Sequence, residues 1–220
     1  MLKYLLTKLI FISWLVLPAQ VHVRDEPRHH NVFENEFVRI LDVHLGPKDT
    51  TGFHLHNTPS VFIVLSNCKV SSQLAGEQPQ QGANVSGNIS YDPMKTDRLH
   101  RVWNEDTAWF HVMDVELISA KQKSTIHVVQ HPLLKLLFNE QRVNGYDAEL
   151  KPGDHLQLPP SASGYLVVSK ETTSIDLRIN KTIQQRFMKP GHFVWIEPGI
   201  GFAIRTRETR PAGFVILQMK

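Results

Sequence analysis

Six residues from the first half of the chain return in the second at one spacing. Phe33, Val38, Asp42, Leu45, Pro47 and Asp49 recur 105 positions later as Phe138, Val143, Asp147, Leu150, Pro152 and Asp154. Farther on, Phe62-Ile63-Val64-Leu65-Ser66 aligns with Tyr165-Leu166-Val167-Val168-Ser169 at an offset of 103, and Asp106-Thr107 with Glu208-Thr209 at 102. A drift of a few residues is what loop trimming produces. Self-similarity at a near-constant period means two copies of one structural unit, each about 95 residues and so near the usual size of a domain.

The repeated unit reads as β-structure. Short runs rich in Val, Ile, Phe and Thr occupy residues 37–44, 60–66, 108–117, 164–169, 174–179, 193–196 and 214–219. Turn clusters such as Gly46-Pro47-Lys48-Asp49 and Lys151-Pro152-Gly153-Asp154 separate them. Many short strands between turn signals predict an all-β sandwich or barrel. One helix is predicted near residues 132–141, where five large apolar residues between Leu133 and Phe138 leave little polar face; it stands where a connector between the copies would stand. The polar, Gly-containing stretch 78–88 reads as a long exposed hairpin loop.

Ahead of the repeat, Lys3 and Lys8 precede an apolar run from Leu9 to Leu17, followed by Pro18-Ala19-Gln20. A charged start, a short apolar core and a small residue at the end are the pattern of a secretory signal peptide. The expectation is a leader over residues 1–19, cut after Ala19, and an exported product, periplasmic or secreted. The run is shorter than the roughly 20 residues that span a bilayer, so no stable membrane insertion is expected after cleavage. Removing Lys3 and Lys8 lowers the formal charge from +3 to +1. With no basic cluster, a nucleic-acid partner lacks its electrostatic footing. Cys68 is the single cysteine; it excludes an intrachain disulfide and reads as a small buried hydrophobe rather than a nucleophile.

Histidine is enriched: 12 in 220 residues. Most have ordinary readings. His22, His29 and His30 lie in a polar approach and are expected to be solvated, His127 and His131 flank the predicted connector, and His44 and His192 look like strand or turn residues. His54 and His56 differ, because imidazoles two apart on a strand share a face. Such a pair holds a divalent ion when a neighbouring strand brings a third ligand, and His100 is the candidate.

Gly46, His54-x-His56 and the strand Val61-Phe62-Ile63-Val64-Leu65 that follows resemble the first motif of the cupin family, and His100-x-x-x-Asn104 before the strand at 110–117 resembles the second. The repeat extends the resemblance to a bicupin. It implies two tandem double-stranded β-helix (jelly-roll) barrels: an N-terminal one over residues 24–120 with a metal ion in its mouth, and a C-terminal one over 132–220. By analogy it also implies a homodimer. The sequence departs from the family where a glutamate precedes the apolar strand of the first motif, since Ser60 stands there. A site of three neutral histidines with no carboxylate follows, for Fe, Mn, Ni or Zn. Such a site keeps the ion's full charge and favours an anionic or chelating ligand.

Aligning the copies along their strands places Gln157, Pro159 and Phe202 at the positions of His54, His56 and His100. The second barrel is therefore expected to hold no metal and to serve as a packing partner. Ser60, Trp103 and His111 are further candidates for the ligand pocket, His111 because it shares strand parity with apolar Met113, Val115 and Leu117. Asp114 and Glu116, on the opposite parity, are expected to face solvent. No catalytic residue is assigned. Two readings stay open: a module that binds a small molecule, with or without the metal, and a metal-dependent enzyme of dioxygenase or isomerase type acting on a small organic acid or sugar.

Overall fold

The computed structural model describes residues 21–119 and 126–220; the predicted leader falls outside them. The first half contains β1 (Val21–His22), β2 (His29–Glu34), β3 (Val38–Leu45), β4 (His54–His56), β5 (Ser60–Val64), β6 (Cys68–Leu74), β7 (Gln80–Asn84), β8 (Ile89–Asp92), β9 (Arg98–Asn104) and β10 (Phe110–Leu117). The second contains β11 (Leu134–Asn139), β12 (Val143–Leu150), β13 (Leu156–Leu158), β14 (Tyr165–Ser169), β15 (Thr173–Ile179), β16 (Thr182–Met188), β17 (Phe193–Ile196), β18 (Phe202–Thr206) and β19 (Ala212–Met219).

Strand order shows the repeat directly. The sheet β2-β3-β10-β5-β8 is matched by β11-β12-β19-β14-β17, and the run β4-β9-β6-β7 by β13-β18-β15-β16. Even an irregularity recurs: a bulge lies between Asn31 and Phe33 in β2 and between Leu136 and Phe138 in β11. The turn after β3 closes with Asp49 N–H on Gly46 C=O, its left-handed position taken by Lys48 at φ 64°. The matching turn closes Asp154 on Lys151, with Gly153 at φ 90°. Proline followed by a left-handed residue is type II turn chemistry.

The apolar runs are nearly continuous because their strands are buried on both faces. Val38, Ile40, Val61, Ile63, Met113, Val115 and Leu117 of the first half pack against Val143, Leu166, Val168, Val215, Leu217 and Met219 of the second. The alternate residues face the interior of their own half. In the second half that interior is filled by Tyr146, Leu156, Leu158, Tyr165, Ile204, Phe214 and Ile216, each fully burying an apolar side chain at about 1.5–3 kcal/mol.

Three expectations need correction here. The predicted helix is strand β11, paired with β12: its bulge lets one strand send Leu134 into the second-half core and Phe138 into the seam, which a plain alternation cannot do. Part of the predicted loop at 78–88 is strand β7, because β6 offers a free edge to pair with. And the copies align one residue differently across β4. Asn104 and Thr206 hold matching turns, accepting from Asp106 N–H and Glu208 N–H, so Phe202 stands at the position of His100, as expected, and its pairing partner Leu158 at that of His54. Neither position carries an imidazole.

Candidate metal centre

Four imidazoles converge inside the first half. His54 and His56 point inward together from β4 and are buried, at 1% and 3% exposure. His100 comes from β9, directly across from His54 in the antiparallel register. The fourth is His29 of β2, buried at 8% rather than solvated. Its ring centroid is 4.6 Å from that of His54; the His100 ring lies 4.7 Å from His54 and 4.9 Å from His56.

The bulge in β2 explains why His29 escapes a sequence reading. Residues 29, 31 and 33 would share a face on a regular strand. The extra residue reverses that parity, so His29, opposite Val43, turns inward while Phe33, opposite Ile40, enters the seam.

Hydrogen bonds fix which ring nitrogens are free. His54 Nδ1 donates to Gly52 C=O at 2.9 Å, and His29 Nδ1 donates to the Glu26 carboxylate at 2.8 Å. Both residues therefore turn a bare Nε2 inward. Glu26 is itself held by the backbone N–H groups of Arg28 and Gly52. Burial would raise its pKa, but these bonds and that from His29 together lower it. His54 Nε2 and His56 Nε2 face each other at 3.1 Å. Since His54 Nε2 is bare, the proton between them belongs to His56, whose other nitrogen, Nδ1, then lies bare 3.5 Å from Asp114 Oδ2.

Burial keeps the cluster neutral. It pushes His54 down to about 4 and His100 to about 3, and lowers His56 as well, with neighbouring imidazoles adding to the effect. Asp114 is pushed up to about 8, by burial first and then by Glu116. Asp114 and Glu116 are 1% and 2% exposed, so the expectation that they face solvent is overturned. On β10 the even-numbered residues look into the interior and the odd-numbered ones into the seam. For the same reason His111 faces away from the imidazoles. Trp103 also leaves the site: it lies beside Arg101 on the opposite face of β9 from His100 and donates to Glu105. Ser60 is fully buried on the interior face, across from Glu116. Cys68 is buried against Asn104.

The donor set fits a transition-metal ion. Two imidazole nitrogens ~2.1 Å from one ion, at an angle near 95°, sit ~3.1 Å apart, which is the His54–His56 separation. His29, His54 and His56 bring one nitrogen each within 4.8 Å of the others. His100 Nε2 is buried without a hydrogen-bond partner among the described residues. A buried ring nitrogen without a partner, beside the bare Nε2 of His54, is costly in apolar surroundings and is relieved by a cation.

No protein-family model matches the chain, and no curated protein matches it. Solved structures do. AerE from Microcystis aeruginosa superposes with a TM-score of 0.60 at 8% identity, over 89% of this chain and 98% of AerE. Salicylate 1,2-dioxygenase from Pseudaminobacter salicylatoxidans gives 0.57 at 11%, over 83% of this chain and 71% of the enzyme. A cupin 2 conserved barrel domain protein from Leptotrichia buccalis gives 0.52 at 13%, over 86% of each chain. The architecture is thus that of the cupin-fold proteins. At these identities the likeness establishes the fold, and the histidine cluster is this chain's own evidence for a metal site.

Proposed function

We propose that this is an exported bicupin, with units at residues 24–120 and 132–220, that binds one divalent transition-metal ion and a small oxygen-rich molecule in its first half. His54 and His56 form the base of the site, with His29 and His100 beside them. The observation that carries the reading is the pair of facing Nε2 atoms at 3.1 Å, one of them bared by a hydrogen bond on the far side of its ring. When bound, the ion supplies Lewis acidity at positions the protein leaves open. Glu26 and the Gly52 carbonyl hold two rings in the ligating tautomer, and Asp114 Oδ2 stands 3.5 Å from His56 Nδ1.

The mouth beside the cluster is a cleft of about 360 Å³ whose lining includes Phe62, Ser72, Leu74, Glu77, Arg98 and His100. Arg98 lies over the Phe62 ring, 5.8 Å from its centroid. Neutral imidazoles leave the ion's charge uncompensated, while Arg98 is paired with Asp92 at 2.9 Å. The cleft therefore suits a small organic acid. The second half, its interior filled, is the packing partner.

Metal analysis by mass spectrometry on residues 20–220 tests the reading. Near one ion bound at this cluster, lost in His56→Ala and reduced in His29→Ala and His100→Ala, is expected; an ion count unchanged by His56→Ala overturns the site. The likeness to salicylate 1,2-dioxygenase, which has been solved with gentisate, favours one particular enzymatic version. Iron-loaded protein that consumes oxygen with such an aromatic acid, and stops doing so in His56→Ala, is a dioxygenase; tight binding without consumption makes it a binding module.

A further inference from the structure

A second group of imidazoles lies on the other face of the same sheet. Asp42 and His44 are two apart on β3, and His111 on β10 is the direct cross-strand partner of His44. The two rings stack 3.9 Å apart with 25° between their planes. One carboxylate serves both: Asp42 accepts from His111 Nε2 at 2.8 Å and from His44 Nε2 at 3.0 Å.

We infer that Asp42, His44 and His111 form a second divalent-metal site, distinct from the interior cluster, at the cleft between the two halves. The donors lie within 4.8 Å of one another. Ligands ~2.1 Å from one ion at near right angles sit ~3.0 Å apart, and a bidentate Asp42 places Oδ1 2.8 Å from His111 Nε2 and Oδ2 3.0 Å from His44 Nε2. Two imidazoles and a carboxylate suit Zn, Fe or Mn. An ion replaces the two bridging N–H protons, which move to the Nδ1 atoms, so neutral imidazoles need no change of charge. Burial would raise the pKa of Asp42, yet the bonds from His111 and His44 hold it below the usual carboxylate range, ready as an anionic ligand.

The second copy shows what this carboxylate is placed to do. Asp147 occupies the position of Asp42, but Glu149 and Gly213 replace His44 and His111. There the carboxylate takes a built-in cation, Lys170 Nζ, at 2.5 Å. In the structure β5 and β14 align two residues away from the sequence match, since Leu65 N–H donates to His111 C=O as Lys170 N–H does to Gly213 C=O; the first copy therefore has Leu65 in place of that lysine and offers two imidazoles instead. Access is from a cleft of about 530 Å³ lined by Asp42 together with Val32, Arg186, Met188, His192 and Phe193. The second half closes the site from one side with Gly191, at φ 83°, where a Cβ would come within 3.1 Å of His111 Nε2.

Zinc titration by calorimetry, with metal analysis of the dialysed product, tests this on the mature chain carrying His54→Ala and His56→Ala. One zinc per chain is expected to remain and to be lost on adding Asp42→Asn with His111→Gln. No zinc in the first variant, or zinc that survives the second pair of substitutions, overturns the inference. Should the interior substitutions prevent folding, Asp42→Asn with His111→Gln in the otherwise unaltered chain is read instead. A drop of one zinc per chain supports the site, and an unchanged count overturns it. Because each site is removed separately, failure of one leaves the result for the other readable.

Discussion

At the scale of single residues, the interior of the first half is a set of compensated burials. His54, His56 and His100 have pKa values lowered by burial, so their unfolded forms bind protons first on acidification. Their contribution to stability is therefore present above about pH 6.5 and falls as pH drops toward the folded values. Asp114 has the opposite sign. Raised to about 8, it favours folding most while protonated, and that contribution is lost as pH rises through 8. The metal-free protein should thus be most stable near pH 6–7. Asp114→Asn mimics the protonated acid at every pH and can still donate toward His56. Its melting temperature should exceed the parent's already at pH 6, where the unfolded carboxyl is ionised, and by several degrees more at pH 8.5, at ~2–4 °C per kcal/mol for a chain of this size. Thermal unfolding across pH in the presence of chelator reads this out, and a constant difference between the two proteins would show that Asp114 does not titrate there.

At the scale of elements, the strands were legible where both faces are buried and hidden where a bulge interrupts the alternation. The runs at 37–44, 60–66 and 214–219 declared themselves because seam and interior each demand apolar side chains. The β2 and β11 edge strands did not. A bulge breaks the period-2 pattern that identifies a strand, which is why Leu133–Phe138 looked helical and His29 looked solvated. Of the histidine cluster, His54 and His56 could be read from spacing and His100 as their cross-strand candidate, whereas Glu26, His29 and Asp114 depend on chain reversal and sheet stacking that no local pattern encodes. The β11 bulge brings its own constraint. The Phe138 ring occupies the place a Cβ would take on Gly145, its partner across β12, while the first copy has Ile40 opposite Phe33. Gly145→Ala should overpack this spot and cost about 1–3 kcal/mol, and Phe138→Leu should recover part of the loss. Chemical denaturation of the single and double variants measures both, and an additive double variant would place the strain elsewhere.

At the scale of the whole molecule, the two copies have divided one architecture between them. Matching interior positions carry Ser60, Asp114 and Glu116 in the first half but Tyr165, Ile216 and Gln218 in the second. Polar groups leave room and donors for an ion; aromatic and aliphatic ones fill the space and supply cohesion. The first half has only a small apolar cluster of its own, Val43, Leu45, Cys68 and Phe110, against the much larger one of the second half, so it leans on the seam. That dependence has a measurable form. Leu217 is fully buried on the second-half side of the seam, and Leu217→Ala should cost about 2–5 kcal/mol. If the halves unfold as one unit, hydrogen exchange should speed up in β10 of the first half as much as in β19, which carries the substitution. Faster exchange confined to the second-half strands would mean that the copies unfold independently and that the seam only docks them. The expected shared loss would instead make the second half a structural requirement of the histidine cluster in the first.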